Sequence, residues 1–162
     1  MTEPAGDRRD PLATAAPAAT RAVVGVLYTA DRIRGALRGF FRAHGLTLNQ
    51  HNVLRILRGA GPDGLAGREV AARLIERVPD LTRMIDRLER DGLVRRSACP
   101  HDGRVTRIAI TPRGRRRIAG LEEPLRALEV ALVGDLTPTA LARLDAALAT
   151  IRDAAEARLP GT

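Results

Sequence analysis

The sequence predicts a mainly α-helical fold with one small β-hairpin. Three observations support this prediction. Apolar residues recur at steps of three and four over most of the chain, alternation with a period of two is confined to one short stretch, and Thr-Pro pairs mark two helix starts. With 162 residues and 44% apolar content, the chain is long enough for one domain with its own core. Only three residues are aromatic (Tyr28, Phe40 and Phe41), so the core must be mainly aliphatic.

Composition excludes several classes of protein. A single cysteine rules out a disulfide scaffold, and no apolar run of about 18 residues is present to cross a membrane. The scarcity of aromatic residues argues against binding single-stranded nucleic acid by base stacking. All 27 basic residues are arginine, against 19 acidic residues, and the formal charge of +8 favours an anionic partner.

The excess positive charge is concentrated in one block of the sequence. Residues 68–117 hold fourteen arginines and seven acidic residues, whereas residues 118–162 hold four arginines and seven acidic residues. A basic bias of the whole composition would not be distributed in this way. We therefore expect a polyanion to bind residues 68–117.

The first 20 residues are rich in proline, alanine and threonine and are expected to form a flexible tail. Arg8 and Arg9 would suit a twin-arginine export signal, but Pro17 and Arg21 interrupt the apolar region that such a signal requires. No targeting segment is therefore expected, and the predicted location is cytoplasmic.

Long helices are predicted at both ends of the chain. Residues 21–45 repeat apolar side chains at three- and four-residue steps from position 22 to 44, which is typical of an amphipathic helix. In residues 112–160, two Thr-Pro pairs supply caps and first-turn prolines for one helix that carries Ile118 to Leu132 and for a last helix that ends near Ala155. The last helix has the spacing of a helix packed along a partner. A domain of this size does not need such helices for its own core, so a helical dimer interface is expected.

Residues 46–111 combine short helices with two strand-like runs. Thr47 and Gln50 form a capping box that begins a helix ending at the glycine cluster of residues 59–64. The following elements are predicted as helices over residues 66–75 and 79–91 and strands over residues 93–98 and 105–110. Two short helices joined by a turn of about three residues indicate a helix-turn-helix, and the hairpin after it is a wing. The fold is thus a winged helix-turn-helix core flanked by long N- and C-terminal dimerisation helices.

The second helix of the pair carries an arginine stripe, defined here as Arg83, Arg87 and Arg90. At about 100° per residue these side chains fall within about 60° of one another, opposite the apolar residues of the helix. Such a helix fits the major groove of DNA, where arginine binds guanine or phosphate. The alternative is a solvated face whose arginines pair with Asp86 and Glu89. The short turn before the helix and the wing after it favour the first interpretation.

Three stretches of the sequence resemble one known family. Residues 81–94 (LTRMIDRLERDGLV) closely resemble the recognition helix of MarR-family transcriptional regulators. Residues 100–104 (PHDGR), together with Ile110-Thr111, resemble the wing of that family. The pattern Leu46-Thr47-x-x-Gln50-x-x-Val53-Leu54 is similar to its second-helix signature. The resemblance spans residues 30–155.

This resemblance implies a winged-helix homodimer that binds a pseudo-palindromic operator in double-stranded DNA and represses transcription. Release would follow when a small lipophilic or phenolic effector binds between the dimer helices and the DNA-reading part. Carried over by position, Thr82, Arg83 and Arg87 are expected to contact DNA from the recognition helix, and Arg104 from the wing tip, with Asp102 holding the wing in shape. Arg90 joins this set through its place in the arginine stripe, and Arg68 is expected either to contact phosphate or to raise the local positive potential. The expected effector-binding residues are Phe40, Phe41, His44 and His51.

The sequence also offers two alternatives to a DNA-binding regulator. Cys99 stands where the family often has an acidic or amide residue and could make the chain a redox sensor, although the family's sensor cysteine lies in the first helix, where this chain has none. A helical protein-interaction adaptor that no longer reads DNA is the second alternative, which the arginine stripe argues against. The sequence contains neither a phosphate loop nor a nucleophile with a base, and its three histidines are scattered. No catalysis, cofactor or metal is therefore expected.

Overall fold

The computed structural model describes residues 16–74, 79–99 and 104–159. The elements in chain order are α1 (Ala18–Ala43), α2 (Leu48–Gly59), β1 (Leu65–Ala66), α3 (Gly67–Ala72), α4 (Leu81–Arg90), β2 (Val94–Ala98), β3 (Thr106–Ile110), α5 (Pro112–Ala119), α6 (Glu122–Val133) and α7 (Pro138–Glu156). These form two compact units, of which the first ends at Glu122 and the second begins at Glu123. The mainly α fold with a small hairpin is confirmed.

The core of the first unit is built around α2. The capping box predicted at its start is present: the Thr47 Oγ1 accepts from the Gln50 N–H at 3.1 Å, and the Gln50 Oε1 accepts from the Thr47 N–H at 2.8 Å. Capping orients α2 so that Val53, Leu54 and Leu57 are fully buried. Buried side chains from five other elements complete the core: Phe41, Val70, Ile85, Leu88, Ile110 and Ile118.

The sheet has three antiparallel strands in the order β1-β3-β2. The predicted hairpin pairs Val94 with Ile110 at one end and Ala98 with Thr106 at the other. The third strand, β1, was not predicted, because two residues are too few to show alternation and Ala66 was assigned to a helix. Its approach to β3 depends on Gly64, which has φ +67° and whose Cβ, if present, would lie 2.1 Å from the Ile108 carbonyl oxygen.

Two helices begin at different residues from those predicted. Helix α1 begins at Ala18, after Pro17 at the N-cap, so residues 18–20 of the predicted tail are helical. The alanine-rich segment behind a proline favours helix from its first residue. Helix α4 begins at Leu81 rather than at Pro79, because Asp80 is the cap: its Oδ1 accepts from the Arg83 N–H at 3.0 Å. Helix α3 ends at Ala72 with Arg73 as its C-cap, so residues 73–74 of the predicted helix over 66–75 are not helical. Residue 75 and most of the predicted tail, residues 1–15, lie outside the described residues.

Helices α5 and α6 replace the single helix predicted after Pro112. The break falls at Gly120, a poor helix former, and at the buried Leu121. The start of α5 is fixed to the end of α4 by Thr111, whose hydroxyl donates to the Gly92 carbonyl at 2.7 Å and accepts from the Gly114 N–H at 3.0 Å. Gly114 is tightly enclosed, since a Cβ there would lie 2.2 Å from the Leu93 carbonyl oxygen.

The second unit consists of α6 and α7 joined by a turn at Gly134. Within the part that the structure describes, residues 123–159, no side chain is buried. Large apolar side chains remain exposed at Val130, Val133, Leu136, Leu144, Leu148, Ile151 and Leu159. Helix α1 of the first unit also exposes Val23, Leu27, Tyr28 and Ile33. None of the helices in the described ranges is long and apolar enough to cross a membrane.

Candidate nucleic-acid interface

Helix α4 divides into the two faces that its angular spacing predicts. Ile85 and Leu88 are buried in the core of the first unit, and Leu81 and Met84 are half-buried beside them. Thr82 and all three residues of the arginine stripe are exposed on the opposite side. The stripe borders a cleft of about 410 Å³ whose other wall is the first turn of α2, at Thr47 and Gln50.

Within the arginine stripe, only Arg83 has an acidic partner among the described residues. Its Nε lies 3.0 Å from the Asp80 Oδ2, and its side chain is still 87% exposed. Arg87 and Arg90 form no ion pair with any residue that the structure describes. The guanidinium groups of the stripe therefore point to solvent and can accept phosphate or guanine as partners.

The two carboxylates of α4 pair with a residue that the sequence analysis missed. Arg96 of β2 reaches Asp86 through Nη2 at 2.7 Å and Glu89 through Nη1 at 2.5 Å. The Arg96 N–H also donates to the Glu89 Oε1 at 3.0 Å. The alternative in which Asp86 and Glu89 pair with the arginine stripe is therefore wrong. Nothing local in the sequence indicates the Arg96 pairing, which depends on how the hairpin folds back on α4.

The surroundings of Arg96 also affect its ionisation. Partial burial alone would lower the pKa of the Arg96 guanidinium, but the hydrogen bonds and charges of Asp86 and Glu89 outweigh this and raise the pKa above its usual value. The side chain therefore remains cationic, and the three charged groups form a fixed bridge between α4 and the hairpin.

The structure describes the wing except for residues 100–103. Cys99 follows β2, is half-buried, and its N–H donates to the Val105 carbonyl at 2.8 Å, which closes the ladder. Arg104 is exposed where the chain turns back into β3. Asp102, the residue expected to hold the wing in shape, lies outside the described residues. Arg68, expected on phosphate, is exposed in the first turn of α3.

Two further arginines of the sheet hold the loop before β1. Arg107 donates from Nε to the Asp63 carbonyl at 2.9 Å and from Nη2 to the Gly64 carbonyl at 2.6 Å. Arg95 donates to the Pro62 carbonyl at 3.3 Å. These cations belong to the basic block of residues 68–117, but their hydrogen bonds are made within the protein.

The four expected effector-binding residues lie together where α1 meets α2. Phe40, Phe41, His44 and His51, called the aromatic cluster below, are linked by ring contacts: Phe40 to Phe41 at 5.1 Å, Phe40 to His44 at 4.3 Å and Phe41 to His51 at 4.3 Å between centroids. Phe41 and His51 are buried, whereas Phe40 and His44 are half-buried. The structure thus places Phe41 in the core, with Phe40 and His44 at its edge.

His51 carries an unpaired buried atom. Its Nδ1 has no hydrogen-bond partner among the described residues. Burial, and then the positive charges of Arg55 and Arg58, lower the pKa of His51 below its usual value of 6.5. The ring is therefore neutral at physiological pH.

Comparison with known proteins assigns the winged core to a family. The sequence profile of the MarR family matches residues 46–106. The crystal structure of a MarR transcription factor from Planctomyces limnophilus is 32% identical and superposes with a TM-score of 0.64, over 83% of this chain and 98% of that one. The chain belongs to the MarR family. As a MarR-family protein it is a DNA-binding transcription regulator and not an enzyme.

Two other relatives of this MarR-family chain carry more specific names. The HTH-type transcriptional repressor IacR of Pseudomonas putida is 30% identical over 106 residues, which are 65% of this chain and 62% of that repressor. The match thus spans less than two thirds of the IacR sequence. The crystal structure of CouR from Rhodococcus jostii RHA1 bound to p-coumaroyl-CoA shares the fold, with 23% identity, a TM-score of 0.69, and coverage of 82% of this chain and 92% of that one.

Proposed function

We propose that the chain is a homodimeric repressor that binds a pseudo-palindromic operator in double-stranded DNA and is released by a small effector. The observation that carries this proposal is the arginine stripe of α4. Its three guanidinium groups are exposed on one face, while the carboxylates of Asp86 and Glu89 on the same helix pair with Arg96. A regulator of this kind acts on the chromosome, so its place is the cytoplasm.

The proposed DNA contacts follow from the position of each residue. The arginine stripe and Thr82 enter the major groove, where arginine binds the O6 and N7 of guanine. Arg104 reaches the minor groove from the wing tip that Asp102 holds in shape, because a narrow groove attracts an arginine side chain. Arg68, in the first turn of α3, contacts phosphate and positions the protein on the duplex.

The exposed apolar side chains support the homodimer. Helix α1 and the second unit both leave valine, leucine and isoleucine side chains in water, with Val23 55% exposed and Val130 62% exposed. Such side chains are normally covered by a partner of the same chemistry. A twofold dimer would carry two copies of α4 to half-sites about one helical turn apart. Light scattering should give twice the chain mass, and Leu148→Glu should reduce it, whereas a monomeric wild-type protein would overturn the dimer.

The DNA-binding proposal is tested by selecting genomic fragments that the purified protein binds. We expect an enriched pseudo-palindrome, and binding to it should weaken steeply as salt rises because phosphate contacts release counterions. Scrambled DNA of the same length is the control. Equal affinity for the selected and the scrambled duplex would overturn sequence-specific binding. Repression is tested separately, by placing the selected site upstream of a reporter gene.

The effector proposal rests on the aromatic cluster, and CouR supports it because its crystal structure holds p-coumaroyl-CoA, a phenolic ligand. A ring stacked on Phe40 and a phenolic group at His44 or His51 would combine apolar and polar contacts in one place. Phenols and aromatic acids should release the operator, and Phe40→Ala should raise the concentration needed by about tenfold. Phe40→Leu is the matched control. Failure of the whole panel to release DNA would overturn a phenolic effector.

A further inference from the structure

The bridge between α4 and the hairpin has a role of its own in DNA binding. We propose that Arg96 is a positioning residue, which does not contact DNA but holds the wing at a fixed place relative to α4 and keeps Asp86 and Glu89 from opposing the DNA. This inference rests on the proposed DNA-binding function and adds to it a residue outside the expected contact set.

The first argument is the geometry of the three groups. The planar guanidinium of Arg96 presents separate nitrogens to Asp86 and to Glu89, at 2.7 Å and 2.5 Å. Lysine offers a single point charge and cannot reproduce this fork. Because Asp86 and Glu89 lie one helical turn apart, the fork fixes both the distance and the rotation of β2 relative to α4.

The second argument is the edge position of β2. Among the described residues, the sheet order β1-β3-β2 leaves the outer edge of β2 without a neighbouring strand. At Arg96 this edge is covered by α4, because the Glu89 Oε1 accepts the Arg96 N–H at 3.0 Å. Glu89 therefore holds the hairpin by its backbone as well as by its side chain. The hairpin carries Arg104, so this contact also determines where that cation lies.

The third argument is electrostatic. The cleft beside α4 is lined by the arginine stripe and by Asp86 together, so a duplex docked on the stripe would lie close to the Asp86 carboxylate. Exclusion of water from such an interface reduces screening, and an unpaired carboxylate would then repel the phosphates strongly. Paired with Arg96, Asp86 and Glu89 present hydrogen-bonded ion pairs instead of two free negative charges.

The experiment is a cycle of four proteins: wild type, Arg96→Gln, Asp86→Asn with Glu89→Gln, and the triple variant. Affinity for one selected operator is measured for each. We expect Arg96→Gln to weaken operator binding roughly 10- to 100-fold in the wild-type background and less than about threefold when the carboxylates are already amides. A direct phosphate contact by Arg96 predicts the same loss in both backgrounds, and that result would overturn the proposal.

A second measurement needs no DNA. Cys99 is the only cysteine of the chain and directly follows β2, so a nitroxide label there reports the motion of the hairpin. Arg96→Gln should make the label more mobile, as should Asp86→Asn with Glu89→Gln, because either change opens the same bridge. Arg95→Gln is the matched control, since Arg95 is the neighbouring strand arginine and bonds to Pro62 rather than to α4.

The outcomes separate this inference from the proposed function. A wild-type protein that binds no DNA removes the proposed function and the inference with it. The inference alone is removed if the wild type and Arg96→Gln bind the operator with equal affinity. It is also removed if Arg96→Gln leaves the electron paramagnetic resonance spectrum of the label on Cys99 unchanged. Arg96→Lys should recover only part of the affinity, because it restores the charge without the fork.

Discussion

The arginines of α4 and those of the sheet contribute equally to the basic block but have different surroundings. On α4, Arg87 and Arg90 extend into solvent without an acidic partner among the described residues. In the sheet, Arg95, Arg96 and Arg107 each donate to a carbonyl or carboxylate of the protein. Net charge therefore overstates the number of cations that are available to DNA.

This difference follows from what each element leaves unsatisfied. A helix interior pairs its own backbone groups, so arginines on its outer face have no acceptor nearby. Short strands and tight turns leave carbonyls free, and the long guanidinium side chains of the neighbouring strand reach them. Substitutions on α4 should therefore affect DNA affinity, and substitutions of Arg95 and Arg107 in the sheet should affect the free energy of unfolding. Arg96 is the exception, because its bridge to Asp86 and Glu89 joins the sheet to α4.

The largest effect is expected from Arg87→Ala on α4. If Arg87 grips a base, its loss should reduce specific binding by about 1–3 kcal/mol, while the free energy of unfolding changes by less than about 0.5 kcal/mol. Fluorescence anisotropy and urea unfolding measure the two quantities. Arg126→Ala is the control, because Arg126 is exposed on α6 and pairs only with Glu123 among the described residues. Unchanged operator affinity would remove Arg87 from the DNA-reading set.

The opposite pattern is expected from Arg107→Ala in β3. This variant loses the hydrogen bonds to the Asp63 and Gly64 carbonyls, and the free energy of unfolding should fall by about 1–2 kcal/mol. Operator affinity of the folded protein should stay within about threefold of the wild type. Arg107→Lys, which keeps the charge, should be intermediate in stability. A loss of affinity at unchanged stability would place Arg107 with the arginines of α4.

Arg104 tests the proposed contact between the wing and DNA. Arg104→Ala should reduce the slope of the logarithm of affinity against the logarithm of salt concentration by about one unit, as expected for one phosphate or minor-groove contact. Titrations at several potassium chloride concentrations measure this slope. The same titrations on Arg95→Gln, a strand arginine bonded to Pro62, should return the wild-type slope. Equal slopes for both variants would exclude the wing tip from the interface.

The smallest effect is expected in the pH dependence of stability, which Arg55 and Arg58 influence through their charges near His51. Burial, with Arg55 and Arg58, lowers the pKa of His51 below 6.5, so the unfolded chain takes up a proton at a higher pH than the folded protein does. The free energy of unfolding should therefore fall as pH drops below about 6.5 and level off below the folded pKa. Urea unfolding between about pH 5 and pH 8 measures this. His51→Gln should remove that part of the slope, and Arg55→Ala should reduce it.

Features set by local spacing could be predicted from the sequence. The buried and exposed faces of α4 follow from helical periodicity, and the capping box at Thr47 and Gln50 is contained within four residues. The ring contact between Phe40 and His44 is likewise local, because His44 is the C-cap of α1 and lies four positions after Phe40. These predictions required no knowledge of how distant segments meet.

Features set by long-range contacts could not be predicted in this way. β1 exists only because β3 lies beside it, and its two residues carry no pattern of their own. Arg96 meets Asp86, ten positions earlier in the sequence, because β2 folds back beside α4. The sequence also favours a helix that begins at Pro79, because proline suits a first helical turn, whereas Asp80 is the N-cap. Sequence patterning therefore predicted which residues face outward, but not which outward-facing charges neutralise each other.

The hydrogen bonds of Thr111 couple the movement of α5 to that of α4. Its single hydroxyl joins the carbonyl after the recognition helix to the first turn of α5, and Gly114 leaves no slack there because even a methyl group would collide with Leu93. The end of α4, the start of β2 and the first turn of α5 are thus held together as one rigid junction. A tilt of α5 would therefore be transmitted to the C-terminal end of α4 through these two hydrogen bonds.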